Sequence, residues 1–326
     1  MTLPIPLQSA IAEWLGLARS RGGGNRGGSD ALSTIYRAGG HSRDVDLASY
    51  LVARLPATYA AVIRVLAELG RRRPDFVPVS LLDAGCGPGT AAWAACALWS
   101  GLRQVTLLDS VPAMIELAAA LAQHGPPALA ASRRIMAQVD RLPQDVAADL
   151  VVASYVLAES PARAASAAAL DLWAASRSVL VIVEPGTPQG FSRLRAAREV
   201  LLAEGAVPVA PCPHDGACPV MGHDWCHFRV RLPRSRAHMH AKGATVPFED
   251  EPFSYLVMAR EGHATGGARV LAAPRQSKPG IDLKLCHEGR IEIRHIARRQ
   301  GTAHRHASKL GWGDLVFSGP AEEKES

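Results

Sequence analysis

Apolar residues change their spacing along this chain, and the changes divide it. The stretch IPLQSAIAEWLGLA (5–18) has the spacing of a short amphipathic helix. SRGGGNRGGSD (20–30) reads as a flexible Gly-rich linker. DLASYLVARLPATYAAVIRVLAEL (46–69) predicts a long helix with Pro56 as a break or kink, because proline lacks the N–H that the helix ladder uses. From residue 77 the period shortens. VPVSLLDAG, QVTLLD, RRIMAQ, ADLVVASY and SVLVIVEP predict strands, separated by helical stretches such as AAWAACALWS and SPARAASAAALDLWAAS. Strands alternating with helical crossovers predict an α/β fold with a parallel, doubly wound sheet.

A further helix is expected near 189–204, after which the regularity stops. RVRLPRSRAHMHAKGA (229–244) is basic and irregular, and PFSYLVMAR (252–260) returns to a strand pattern. GIDLKLCHEGRIEIRHIARR (280–299) reads as a hairpin turning at Glu288-Gly289. In its first strand Ile281, Leu283 and Leu285 share one face, which leaves Cys286 on the other with Asp282 and Lys284. The expected organisation is an N-terminal helical region with the linker (1–75), an α/β domain (76–273) interrupted by a Cys/His/Arg-rich insertion (211–246), and a basic C-terminal hairpin and tail (274–326).

The charge is uneven. Residues 1–225 carry 19 Lys and Arg against 19 Asp and Glu, residues 226–310 carry 16 against 7, and the last sixteen have one Lys against four acids. Eight of the 12 histidines also fall in 226–310. A basic block of this kind points to a polyanion surface. Arg229, Arg231, Arg234, Arg236, Arg294, Arg298 and Arg299 are its candidate RNA-contacting residues. No apolar run is expected to span a membrane, so no membrane partner is expected. The N-terminus has no signal-peptide pattern, and Glu13 with the short leader speaks against a mitochondrial transit segment. The location this implies is cytoplasmic.

LLDAGCGPGTAAWAA (81–95) is a strand, a Gly-rich turn and a helix start, with Gly85, Gly87 and Gly89 in the turn and Asp83 before it. A dinucleotide site prefers G-x-G-x-x-G to accommodate a pyrophosphate. Here the third glycine comes one residue early and an acid closes the strand. That suits S-adenosylmethionine, which carries an amino group and a sulfonium cation but no phosphate. Asp83 is placed to take the amino group, directly or through water, and the glycines let the backbone lie against the ligand. Asp109, ending QVTLLD, suits the ribose diol. Asp140 is the candidate for the adenine amino group. The fourth strand lacks an Asn/Asp-Pro-Pro-aromatic turn, and the fifth, VIVEPGTPQG, lacks a Pro-Cys nucleophile. Glu159 and Glu184 are available as bases or as structural groups, so the catalytic residue is left unassigned.

In PCPHDGACPVMGHDWCHF (211–228), Cys212, Cys218 and Cys226 are spaced C-x5-C-x7-C among three histidines. With Cys286 they make four thiols, suited to tetrahedral zinc or to an iron–sulfur cluster. The spacing is longer than common zinc knuckles use.

LLDAGCGPGT, EPGTPQGF, PCPHDGACPV, DWCHF, LKLC, YLVARLPATYAAV and GWGD resemble the methyltransferase-like small-ribosomal-subunit assembly family, which has mitochondrial and bacterial members. The resemblance runs through nearly the whole chain, and with no mitochondrial leader expected it implies a bacterial, cytoplasmic member. It implies a class I S-adenosylmethionine methyltransferase-like (Rossmann-like) sheet and contact with the small ribosomal subunit and its rRNA. It also implies a four-iron four-sulfur cluster on Cys212, Cys218, Cys226 and Cys286. The expected function is an S-adenosylmethionine-dependent rRNA methyltransferase or methyltransferase-like protein. The alternatives are a non-catalytic assembly factor on the same fold and a small-molecule methyltransferase with a zinc staple.

Overall fold

The computed structural model of the chain describes residues 2–20, 46–159, 164–234, 239, 245–264 and 266–317. Helix α1 (Ile5–Ser20) is followed by a short turn (Leu47–Ser49), a π-helical turn (Tyr50–Arg54) and α2 (Leu55–Arg72). Pro56 sits in the first turn of α2, directly after the π-helical turn, within one continuous helical run from Leu47 to Arg72. The wider π turn, closed by Leu55 N donating to Tyr50 O, shifts the bonding register just where the proline cannot donate. Leu47–Arg72 is, by length and composition, apolar enough to cross a membrane, contrary to the sequence expectation. Of its most apolar window 72% is buried inside the fold, so its apolarity is that of a core helix.

The first sheet contains β1 (Ser80–Ala84), β2 (Gln104–Asp109), β3 (Arg133–Met136), β4 (Ala148–Ser154), β5 (Ser176–Pro185), β6 (Val207–Ala210), β7 (Phe228–Pro233) and β8 (Phe248–Ala259). Its helices are α3 (Thr90–Leu98), α4 (Pro112–Ala122), α5 (Ala165–Ala174) and α6 (Pro188–Ala203). The strand order is β3-β2-β1-β4-β5-β8-β6. Neighbours from β3 to β5 pair in parallel, and β8 runs antiparallel to both β5 and β6. One reversed strand inserted beside the fifth is the order of the class I S-adenosylmethionine methyltransferase-like fold. Both faces are covered, which is why its strands read as unbroken apolar runs. Leu81, Leu107, Leu150, Val152 and Val181 face α2, α3 and α4, while Leu82, Leu108, Val151, Leu180 and Ile182 face α5 and α6.

Strand β8 starts earlier than the pattern at 252–260 indicates. Its Phe253 pairs with Pro185 of β5 on one edge and with Phe228 of β7 on the other. Strands β6 and β7 therefore lie along the same edge of β8, and the cysteine stretch is the excursion between them. A second sheet follows, with β9 (Ala268–Val270), β10 (Arg275–Gln276), β11 (Gly280–His287), β12 (Arg290–Ala297), helix α7 (Gly301–Ala307) and β13 (Leu315–Val316). Strands β11 and β12 pair antiparallel from Gly280–Ala297 to His287–Arg290. Glu288 and Gly289 turn between them with φ of 47° and 74°, the left-handed geometry a two-residue hairpin turn needs.

Candidate functional site: a glycine-turn cradle and a cysteine cavity

Strand β1 is the switch point of the sheet, with β2 on one side and β4 on the other. Ligands of such sheets sit in the crevice outside the carboxyl ends of these strands. The backbone there is tightly fixed. Gly85 has φ of 66°, and a Cβ on it would lie 2.4 Å from Val156 Cγ2. Cys86 N donates to Leu108 O at 2.9 Å, and Gly87 N to Asp109 Oδ2 at 2.8 Å. Asp109 Oδ1 accepts from Val111 N at 2.9 Å. Asp109, expected to accept a ribose diol, thus braces the glycine turn with both oxygens engaged by backbone N–H groups.

Asp83 is fully buried. Its Oδ2 accepts from Ala92 N at 2.9 Å, capping the first turn of α3, while Oδ1 has no hydrogen-bond partner among the described residues. Burial raises its carboxyl to about 8, opposed by the Ala92 hydrogen bond and reinforced by Asp109. Burial likewise raises Asp109. An unsatisfied buried acceptor and two carboxyls held above their ordinary range fit a ligand that brings a cationic amino or sulfonium group. Asp140 lies beyond the end of β3, exposed, and the charged group it acts on is Asp171 of α5.

The corner after β4 is occupied by protein. Tyr155, a non-glycine residue with φ of 64°, is buried, and its hydroxyl donates to Glu251 Oε1 at 3.1 Å. Arg54 Nη1 donates to the same oxygen at 2.8 Å, and its guanidinium stacks 4.2 Å over the Tyr155 ring. Of the expected bases, Glu184 is buried at the end of β5 and accepts from Leu157 N at 2.9 Å, holding this corner. The side chain of Glu159 lies outside the described residues.

Cys212, Cys218, Cys226 and Cys286 line one cavity of about 50 Å³. Strand β11 turns Leu283 and Leu285 into the apolar core of the second sheet and Cys286 towards the cavity. Lys284 on that side bonds Asp224 at 2.5 Å, tying the insertion to the hairpin. His214 Nε2 stands 3.5 Å from Cys286 Sγ. Among the described residues no group of three or more His, Cys, Asp or Glu side chains is arranged to hold a metal ion. The thiols share a cavity without meeting at one point. Burial raises the Cys218, Cys226 and Cys286 thiols, Cys286 being pushed up to about 12 by burial and then by Cys212 and Cys218. The donor set itself suits a thiophilic centre, since no carboxylate lines the cavity and three arginines do, Arg195 and the buried Arg198 and Arg269.

Sequence reasoning missed those arginines, and it missed the group of Arg54, Tyr155 and Glu251. Arg269 is 1% exposed. It bonds Pro211 O at 2.7 Å, Glu68 Oε1 at 2.9 Å and Gly313 O at 2.7 Å, joining α2, the start of the insertion and the C-terminal segment. The sequence signal for Arg269 is a single charge inside an otherwise apolar run, which is costly unless its partners are buried with it, whereas Arg198 stands among Arg193, Arg195 and Glu199 and carries no such signal.

The expected RNA-contacting arginines separate. Arg231 is bidentate to Asp250 at 2.7 and 2.8 Å, Arg234 pairs with Glu249 and Arg294 with Glu292. Arg229, Arg298 and Arg299 are exposed and form no ion pair among the described residues, Arg229 lying 5.1 Å from the Trp312 ring. Arg236 lies outside the described residues. Arg229, Arg231 and Arg234 belong to β7 and its end, and Arg294, Arg298 and Arg299 to β12 and the turn after it, so the set is spread over two sheets.

Among solved structures the chain resembles magnesium protoporphyrin IX methyltransferase from Synechocystis with bound S-adenosylmethionine. The TM-score is 0.42 and the identity 18%, over 72% of this chain and 93% of that one. It also resembles geranyl diphosphate C-methyltransferase from Streptomyces coelicolor, at a TM-score of 0.38 and 12% identity, over 61% and 79%. The fold assignment rests on the strand order and not on these scores. The chain is 31% identical to the human ribosome assembly protein METTL17, mitochondrial, over 82% of this chain and 61% of that protein. It is 26% identical to the fission yeast Rsm22-cox11 tandem protein 2, mitochondrial, over 83% and 43%. It therefore spans less than two thirds of the length of either. Both relatives are mitochondrial by name, which overturns the expected bacterial cytoplasmic location. The profile described as mitochondrial small ribosomal subunit Rsm22 matches residues 44–317, so the chain belongs to the Rsm22 family.

Proposed function

We propose that this chain is an S-adenosylmethionine-binding, methyltransferase-like protein that serves assembly of the small ribosomal subunit and contacts its rRNA. The observation that carries the cofactor reading is the cradle at β1, where the buried Asp83 keeps one oxygen without a partner beside a turn held by Asp109. Family membership carries the ribosomal reading. Asp83, Gly85, Gly87, Gly89 and Asp109 would hold the ligand, with Asp140 towards the adenine. When bound, S-adenosylmethionine supplies a transferable methyl group. The four cysteines would hold a four-iron four-sulfur cluster, or zinc, which ties the insertion to β11. Of the expected RNA-contacting arginines, Arg229, Arg298 and Arg299 form no ion pair among the described residues and are the candidates for phosphate.

One observation favours binding without methyl transfer. The corner after β4, where methyltransferases of exocyclic amines place their acceptor, is filled by the closed group of Tyr155, Arg54 and Glu251. The deciding experiment incubates the anaerobically purified chain and labelled S-adenosylmethionine with small subunits from cells lacking the protein. Label in the rRNA of those subunits, absent from wild-type particles, makes it an enzyme. Stable binding without label makes it an assembly factor. Failure to bind either S-adenosylmethionine or the subunits overturns the proposal.

A further inference from the structure

Two buried cations line the cysteine cavity, and the fold leaves both incompletely partnered. Arg198, on α6, is 3% exposed. Its Nη2 donates to His214 O at 2.9 Å and Gly216 O at 2.8 Å, while Nε and Nη1 have no hydrogen-bond partner. Arg198 forms no ion pair among the described residues. Arg269 reaches the cavity from β9, and its Nη2 is likewise without a partner. Its carboxylate neighbour, Glu68, also pairs with Arg71 and Arg72, so that one acid faces three guanidinium groups. The cavity therefore collects positive charge and open N–H donors around four sulfurs, and no acid lines it.

Burying guanidinium N–H groups without acceptors is costly, and folds tolerate it where an occupant completes the set. The four thiols can become that occupant's ligands. Four thiolates around a zinc dication, or around the doubly positive core of a four-iron cluster, keep two surplus negative charges. Donors on the ligating sulfurs are a principal means by which a protein stabilises such a centre and sets its potential.

We infer that Arg198 and Arg269 are the built-in countercharges and N–H donors for a thiolate-ligated metal centre on Cys212, Cys218, Cys226 and Cys286. This inference rests on the reading of the cysteine cavity given above. Both are positioning residues. They offer N–H donors and positive charge to the ligating sulfurs and so favour the more negatively charged, reduced state of an iron–sulfur centre.

The test uses the full chain, reconstituted anaerobically with ferrous iron and sulfide, as wild type, Arg198→Met and Arg198→Lys, with thermal unfolding as the check on folding. Iron and acid-labile sulfide per chain and the midpoint potential are the readouts. In Arg198→Met the midpoint moves to a more negative value and the centre is lost faster to a chelator, and Arg198→Lys restores part of both. Wild-type iron and sulfide content with an unchanged midpoint in a folded Arg198→Met chain overturns the inference. If the wild type takes zinc and no iron, the readout is zinc release to a chelator, and equal release rates overturn it. A wild type that holds neither metal sinks the cysteine-site reading and this inference together, a result distinct from a loaded site indifferent to Arg198.

Discussion

The two candidate sites are built in opposite ways. The cradle is contiguous in sequence, with one strand, one turn and one helix start between residues 80 and 98 and a single acid from the next strand. Its donors are backbone N–H groups, and glycine conformations shape it. The cysteine cavity draws Arg198 from a helix, Cys212, Cys218 and Cys226 from an excursion between two strands, and Arg269 and Cys286 from another sheet. Side-chain charge defines it. A contiguous site survives loosening of distant parts of the fold, whereas an assembled one fails when any contributing element detaches.

The harshest way to break the comparison is Arg269→Met, which removes the ties to Glu68, Pro211 and Gly313 at once. Losing one partner of a buried ion pair costs about 3–5 kcal/mol, to be read from denaturant unfolding. The loss should fall on the cysteine side, with S-adenosylmethionine affinity retained at temperatures where the chain stays folded. Equal loss at both sites would show that they form one cooperative unit.

The cradle has its own lever in pH. Asp83 titrates at about 8 in the folded chain against an ordinary 3.8, so the folded state holds its proton more tightly. Its contribution to stability is complete below pH 3.8 and is lost as pH rises through 8. The slope over that window is at most about 1.4 kcal/mol per pH unit. The ligand-free chain should melt at a lower temperature at pH 8 than at pH 6, by a margin that Asp83→Asn reduces and that saturating S-adenosylmethionine also reduces. A melting temperature with the same pH profile in Asp83→Asn would remove Asp83 from the account.

Gly85→Ala adds a Cβ 2.4 Å from Val156 at a backbone angle that L residues avoid, a strain of about 1–3 kcal/mol. Calorimetry should find S-adenosylmethionine binding weakened and metal content untouched, and weakening of neither would mean that the turn does not shape the cradle. Cys218→Ser is the mirror experiment. It should weaken RNA binding roughly tenfold, about 1.4 kcal/mol, with little change in cofactor affinity. Parallel loss of both would contradict a separate role for the cavity. The smallest effect is expected of Arg229→Ala, which should reduce the dependence of log affinity on log salt by about one phosphate contact. An unaltered salt slope would exclude Arg229 from the interface.

Much of the cradle was legible because parallel strands buried on both faces must be continuously apolar, and because a strand–glycine turn–helix passage is local chemistry. LLDAGCGPGT needs no distant residue to be read. What escaped notice was the second use of its acids. Asp83 caps α3 and Asp109 braces Gly87, roles that depend on how the turn folds back on the strand ends. At the other site the clustering of cysteines was visible, and so was the placing of Cys286 opposite Leu283 and Leu285, since both follow from spacing. The arginines were read by charge alone, and charge does not say which of them is already spent. Arg231, Arg234 and Arg294 each meet an acid on a neighbouring or the same strand, whereas Arg198 and Arg269 turn inward.

By itself, then, the sequence determined the parallel sheet, the crevice at its switch point and the inventory of thiols and cations, all of them local in period or in composition. Only the tertiary structure decided which cations are neutralised, which are buried against the cysteines, and that the corner after β4 is closed by a residue from the N-terminal turn and another from β8. These are pairings between residues far apart in the chain. Their energies depend on distance and burial, and no local pattern encodes either.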